Sequence, residues 1–163
     1  MVVIEPAEAT DVPEIKQVLS QTWLDTYGHF LSRSTIQTVT TVWHAPELLA
    51  AQIKNPDILF RLAKDETGAI VGLITAHQND QGSLIINRLY VRPQFQRQGV
   101  GYQLLNEIIR AYPQAKKVQL AVEVQNEKGV RFYQKQGFAE VGRSTEQIEG
   151  ETLDVIHMAK TLT

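Results

Sequence analysis

Apolar residues recur at helical spacing in the first third of the chain and near-alternately after it. Ile15, Val18, Leu19, Thr22 and Trp23 fall on one face of a predicted helix. Thr10-Asp11 reads as its start, Pro13 sits in its first turn, and it ends around Asp25–Gly28. A short β-like run, Val2–Ile4, precedes it, and His29 to Arg33 reads as a loop. Ser34 opens a second helical pattern through Ile36, Val39 and Val42. Pro46 restarts that pattern with Leu48, Leu49 and Ile53 on one face, up to Asn55-Pro56.

The period then changes. Ile58–Lys64 and Ala69–His77 read as two strands joined by Asp65-Glu66-Thr67-Gly68, where glycine supplies the positive φ of a tight hairpin. A third strand, Ser83–Val91, alternates Leu84, Ile86, Arg88 and Tyr90 with Ile85, Asn87, Leu89 and Val91. Both sets are partly apolar, as suits a central strand covered on both faces. After Pro93 and a polar loop, Val100, Leu104, Leu105, Ile108, Ile109 and Tyr112 form another helical stripe, closed by Pro113. Val118–Val124 is a strand, Asn126 caps a helix running to Gln136, and Gly137 stops it. Phe138–Ile148 and Leu153–Ala159 read as a terminal hairpin around Glu149-Gly150, with an edge strand that could pair with a second subunit. The order β-α-α-β-β-β-α-β-α-β-β predicts an α/β fold, with helices on both sides of a mixed, mostly antiparallel sheet.

Composition narrows the function classes. The 163 residues predict a single domain spanning 1–163. Lys plus Arg number 16 against 18 Asp plus Glu, so no global positive field exists to collect nucleic acid or an anionic membrane. Cys is absent, which removes disulfides, thiolate metal sites and a cysteine nucleophile, and suits a reducing compartment. His44, His77 and His157 show no metal-ligand spacing, so no metal is expected. The first basic residue is Lys16, unlike a signal peptide, and the apolar stretch Ala69 to Ala76 is too short to span a membrane. A cytoplasmic protein is expected.

The chemistry concentrates in Leu89-Tyr90-Val91-Arg92-Pro93-Gln94-Phe95-Gln96-Arg97-Gln98-Gly99-Val100-Gly101, which runs strand, loop, helix N-terminus. The first turn of a helix carries backbone N–H groups without intrahelical partners, at the positive end of the macrodipole. Gly99 and Gly101 would let an anion approach that backbone, and Gln96, Arg97 and Gln98 would add donors. The competing reading is that both glycines only tighten a turn. Two other phosphate motifs are absent: the third glycine of a dinucleotide fingerprint would fall at Leu104, and no Gly-Lys-Ser/Thr exists.

The pattern Gln96-x-x-Gly99-x-Gly101 after Leu89-Tyr90-Val91 resembles the acetyl-coenzyme A signature of the GNAT superfamily of N-acetyltransferases. Leu120-Ala121-Val122-Glu123-Val124-Gln125-Asn126 and Phe132-Tyr133-Gln134-Lys135-Gln136-Gly137-Phe138 are similar to that family's next strand, capped helix and Tyr…Gly-Phe ending. The opening also fits, and the terminal Leu153 to Leu162 resembles the PaiA-like polyamine acetyltransferases. The resemblance implies acetyl-coenzyme A as co-substrate and a primary amine as acceptor: a polyamine, a small amine or a protein N-terminus. It implies that Leu89, Tyr90 and Val91 meet the pantetheine arm and that Gln96, Arg97, Gln98, Gly99, Val100 and Gly101 hold the pyrophosphate. Asn126 would lie on the pantetheine side, with Tyr133 near the sulfur as proton donor. Trp23, Tyr27 and Asn87 would line the acceptor side.

Each role has a plainer counterpart: an ordinary N-cap for Asn126 and a core aromatic for Tyr133. Relatives often carry a Glu on the strand before the loop, but Ile85 and Asn87 stand at the positions where it would fall. Glu123 is the fallback base, with a solvated strand residue as its plainer reading. Arg92, Arg131, Lys128 and Lys135 are candidates for the coenzyme's remaining phosphate. The missing carboxylate keeps an alternative open, a catalytically weak sensor or interaction module that binds acetyl-coenzyme A.

Overall fold

The computed structural model describes residues 1–162. The elements are β1 (Val3–Pro6), α1 (Val12–Tyr27), α2 (Arg33–Thr38), α3 (Pro46–Lys54), β2 (Ile58–Lys64), β3 (Ile70–Gln78), β4 (Leu84–Val91), α4 (Val100–Ala111), β5 (Lys117–Glu123), α5 (Glu127–Lys135), β6 (Ala139–Ile148) and β7 (Glu151–Thr161). The two helices expected between β1 and β2 are three. A π-helical turn, Val39–Trp43, prolongs α2. Ala45 is then held extended before Pro46, whose fixed φ starts α3 afresh.

The strands form one sheet in the order β1-β2-β3-β4-β5-β7-β6. Every neighbouring pair is antiparallel except β4 and β5. Helix α4 lays Val100, Leu104, Leu105 and Ile108 on one face of the sheet, against Ile74, Leu84 and Ile86. Helix α1 covers the other face, where Ile15 and Leu19 meet Phe60, Leu62 and Leu73. Full burial of each such side chain contributes about 1.5–3 kcal/mol.

One irregularity shapes everything downstream. Thr75 of β3 pairs with Arg88, but the next residue, Ala76, pairs with Ile86, so Asn87 is an extra residue in β4. A bulge of this kind bends its strand and reverses the side-chain alternation beyond it. Leu84 and Ile86 pack beneath α4, and so do Leu89 and Val91 after the bulge. Arg88 and Tyr90 therefore turn to the opposite face, where Tyr90 joins the α1 side and Arg88 reaches α3. The uninterrupted alternation expected for this strand fails at Asn87. The bend also carries β4 away from β5. The two pair only through Leu84–Val118 and Ile85–Gln119, then diverge. No helix among the described residues is long and apolar enough to cross a membrane.

Candidate active site

The divergence of β4 and β5 opens a cleft of about 920 Å³. Ile86 to Val91 form one wall, Leu120 to Val122 the other, and the loop before α4 and the start of α5 close the far side. Leu89, Tyr90, Val91, Gln96, Arg97, Gly99, Val100, Gly101, Asn126, Tyr133, Tyr27 and Asn87 all line it, so the structure gathers most of the predicted site residues. Two do not line it. Gln98 is turned away, its amide donating to the Gln94 carbonyl at 3.2 Å. Trp23 lines a neighbouring cavity instead.

The loop is held by its own side chains. Gln96 Nε2 donates to the Val91 carbonyl at 3.0 Å. Gln98 likewise commits one N–H, so each glutamine amide keeps a single N–H for an anion, while the Arg97 guanidinium makes no hydrogen bond among the described residues. The backbone N–H groups of Arg97, Gln98 and Gly99 meet no protein acceptor among the described residues. Arg97 itself has φ of 64° and Gly99 has φ of 84°. The left-handed region costs a non-glycine residue about 1–2 kcal/mol, and such strain concentrates at ligand sites. A Cβ on Gly99 would meet nothing within 4 Å, so the space in front of that backbone is open. Gly101 has a different reason. A Cβ there would stand 3.2 Å from the Phe132 ring, so this glycine lets α4 approach α5.

Asn126 does cap α5, its Oδ1 accepting from Gly129 N at 3.1 Å. Gly129 is required for that bond, because a Cβ there would lie 2.6 Å from Asn126 Nδ2. Two turns on, Tyr133 is almost buried, in edge contact with Phe132 and Phe138. Burial, with Tyr90 nearby, pushes its phenol well above the ordinary value. Tyr27 is raised too, by burial first and then by Tyr90, Tyr133 and Glu123. Three phenols, Tyr27, Tyr90 and Tyr133, thus gather along the cleft, while Glu123 lies within electrostatic reach of Tyr27 but does not itself line the cleft. Glu123 is not a solvated strand residue. It is 4% exposed, and burial raises its pKa although Gln125 N donates to it.

Lys128, Arg131 and Lys135 rim the cleft, as does Asp25. Arg92 does not, because its guanidinium is spent on the Ile70 carbonyl at 2.8 Å and Gln21 Oε1 at 2.7 Å. Asn87 Oδ1 lies 2.8 Å from His77 Nδ1. Arg88 and Thr75 were given no site role from the sequence, and His44 was weighed only as a metal ligand; all three line the cavity that holds Trp23. No local pattern marks them, since only the Asn87 bulge and the π-helical turn bring them together.

Residues 29–162 match the acetyltransferase (GNAT) domain family. The fold is that of PaiA N-acetyltransferase from Thermoplasma acidophilum, solved in complex with coenzyme A, with a TM-score of 0.83 and 24% identity over 99% of each chain. A ribosomal-protein alanine N-acetyltransferase from Escherichia coli gives a TM-score of 0.75 at 18% identity, covering 100% of this chain and 95% of that one. A chimera of the spermidine N-acetyltransferase from Vibrio cholerae with hSSAT gives 0.74 at 20% identity, covering 98% and 95%. With the family match extending from just after α1 through β7, and the splayed strands and open loop in place, this chain belongs to the GNAT acetyltransferase family.

Proposed function

We propose that this chain transfers acetyl from acetyl-coenzyme A directly to a primary amine in a ternary complex. The observation that carries the reading is the gap between β4 and β5, which ends at the open N-terminal loop of α4. Its volume falls in the range of small-molecule sites. The Thermoplasma protein, solved with coenzyme A, supports the same co-substrate here.

In this reading the β4 edge from Leu89 to Val91 pairs with the pantetheine arm. The backbone N–H groups from Arg97 to Gly101, with the Gln96 and Arg97 side chains, receive the pyrophosphate. Lys128, Arg131 and Lys135 supply cations for the remaining phosphate. An acceptor ammonium, with a pKa of about 10, must first lose a proton, and Glu123 takes it through water. Burial raises its pKa, which makes the carboxylate a stronger base than an exposed one. The amine nitrogen then attacks the thioester carbonyl carbon, and a backbone N–H near Val91 donates to the developing oxyanion. As the C–S bond breaks, Tyr133 gives its proton to the departing sulfur and is reloaded by the proton that the new amide nitrogen sheds. Burial keeps this phenol protonated until that moment. The absence of Cys leaves no thiol to carry an acetyl-enzyme intermediate, and it suits a cytoplasmic location.

The second reading is a coenzyme-binding sensor. The lack of an acid at Ile85 and Asn87, with Asn87 engaged by His77, favours it. Coenzyme A release followed against a panel of amines separates the two. Amine-dependent release supports the enzyme. Stabilisation by acetyl-coenzyme A without turnover on any amine supports the sensor, and no stabilisation contradicts both.

A further inference from the structure

Beside the coenzyme cleft lies a second cavity of about 970 Å³, on the face of β3 and β4 that looks toward α1 and α3. The two adjoin along Asn87, Arg88 and Tyr90, which line both. The second cavity therefore reaches the place where the β4 bulge meets the gap.

Its walls hold polar atoms with nothing to bond. His44 Nδ1 and Thr75 Oγ1 are buried without a hydrogen-bond partner, and Trp23 Nε1, with only the Tyr90 hydroxyl near it, makes no hydrogen bond of ordinary geometry; no other buried side-chain atom among the described residues is in that condition. Their residues are 3%, 1% and 6% exposed, yet all three line this one cavity. Buried polar groups are nearly always satisfied, because leaving them bare costs stability that a ligand or water would restore. Arg88 stands among them. Its Nη1 donates to Gln52 Oε1 at 2.6 Å, and no carboxylate pairs with it among the described residues. The other charges nearby are the Lys16 ammonium, bonded to the Thr40 and His44 carbonyls, and the exposed Asp57 and Asp80 at the outer rim.

Arg and Trp side chains only donate, while Thr and His can do either. The inner wall thus asks for a ligand that brings acceptors, and its unpaired guanidinium asks for negative charge. A planar carboxylate meets both demands and matches the fork of a guanidinium. A polyamine meets neither, since it brings only donors and positive charge to face Arg88 and Lys16.

We infer that this cavity receives the acceptor, and that the acceptor is a small amine carrying a carboxylate, bound by Arg88 with Trp23, Thr75 and His44. The amine end then points to the Asn87–Tyr90 boundary with the coenzyme cleft. The inference rests on the acetyl-transfer reading and sharpens it from any primary amine to an amino acid.

Matched pairs test it: alanine against ethylamine, phenylalanine against phenethylamine, lysine against cadaverine, with spermidine as a further amine. Coenzyme A release gives kcat/KM for each. The expected result is a preference of at least about tenfold for the carboxylated member of one pair or more. Arg88→Gln should bring that ratio close to one, mainly through KM, and Arg88→Lys should restore part of it. Ratios at or below one in every pair, or spermidine as the best substrate, overturn the inference while leaving acetyl transfer standing. Turnover of no amine at all removes acetyl transfer and the inference with it. The wild-type ratios decide the matter even where an Arg88 variant fails to fold.

Discussion

Tyr133 sits with ring centroids 5.2 Å from Phe132 and 5.5 Å from Phe138, and burial keeps its phenol protonated. If it is the proton donor to the leaving sulfur, Tyr133→Phe should lower kcat by on the order of 10²-fold while the fold survives, because only the hydroxyl is removed. Unchanged turnover would take Tyr133 out of the mechanism. Glu123 makes a separate prediction. A buried carboxyl with a raised pKa becomes a competent base only as pH rises through that value, so kcat/KM should climb on its acid limb. Glu123→Gln should flatten that limb. His44 governs stability instead. Burial first, then Arg88 and Lys16, lower its pKa from 6.5 to about 4. The folded state refuses a proton that the unfolded chain accepts, so this contribution is complete above pH 6.5 and drains away as pH falls toward about 4. Denaturant midpoints across that window should fall with pH, and His44→Phe should reduce the slope. Tyr133 could be singled out from its spacing to Asn126 and from the family pattern. Glu123 burial and the Gln96 bond to Val91 could not, because both depend on residues brought close only by the finished sheet.

At the scale of elements, two glycines two residues apart do different work, and substitution separates them. Gly99 needs its φ of 84° but has open space around it. Gly99→Ala should cost about 1 kcal/mol in stability from backbone strain and weaken coenzyme binding, as the loop distorts. Gly101 has ordinary helical backbone but faces Phe132 at 3.2 Å. Gly101→Ala should push α5 outward, lowering the thermal midpoint and displacing Tyr133, so kcat should suffer more than coenzyme affinity. Equal behaviour of the two variants in both assays would contradict this division. The sequence pattern identified the loop and the helix it opens, since Gly, Pro and the Val100–Ile108 stripe are local signals. It read both glycines as one device because packing against a distant ring leaves no local trace. The β4 bulge escaped for a related reason. Both alternating sets in Ser83–Val91 mix apolar and polar residues, so an extra residue at Asn87 changes no visible pattern.

For the whole molecule, the order of strands and helices follows from hydrophobic periods, turn residues and helix stops, and it matches the observed sheet closely. What the order cannot convey is that β4 and β5, though parallel neighbours, touch for only two residue pairs before parting. That separation leaves part of the sheet's interior unfilled, and a ligand that fills it should stabilise the fold. Acetyl-coenzyme A at a hundredfold excess over its Kd should add about 2.7 kcal/mol and raise the thermal midpoint accordingly. Binding alone would fit a sensor as well as an enzyme. The most direct test is therefore the initial rate of coenzyme A release with acetyl-coenzyme A and the amine panel, with the product confirmed as the N-acetyl amine. Release that requires both the amine and the enzyme, and that drops sharply in Tyr133→Phe, is the result predicted. No amine-dependent release across the whole panel, despite saturating acetyl-coenzyme A, would contradict it.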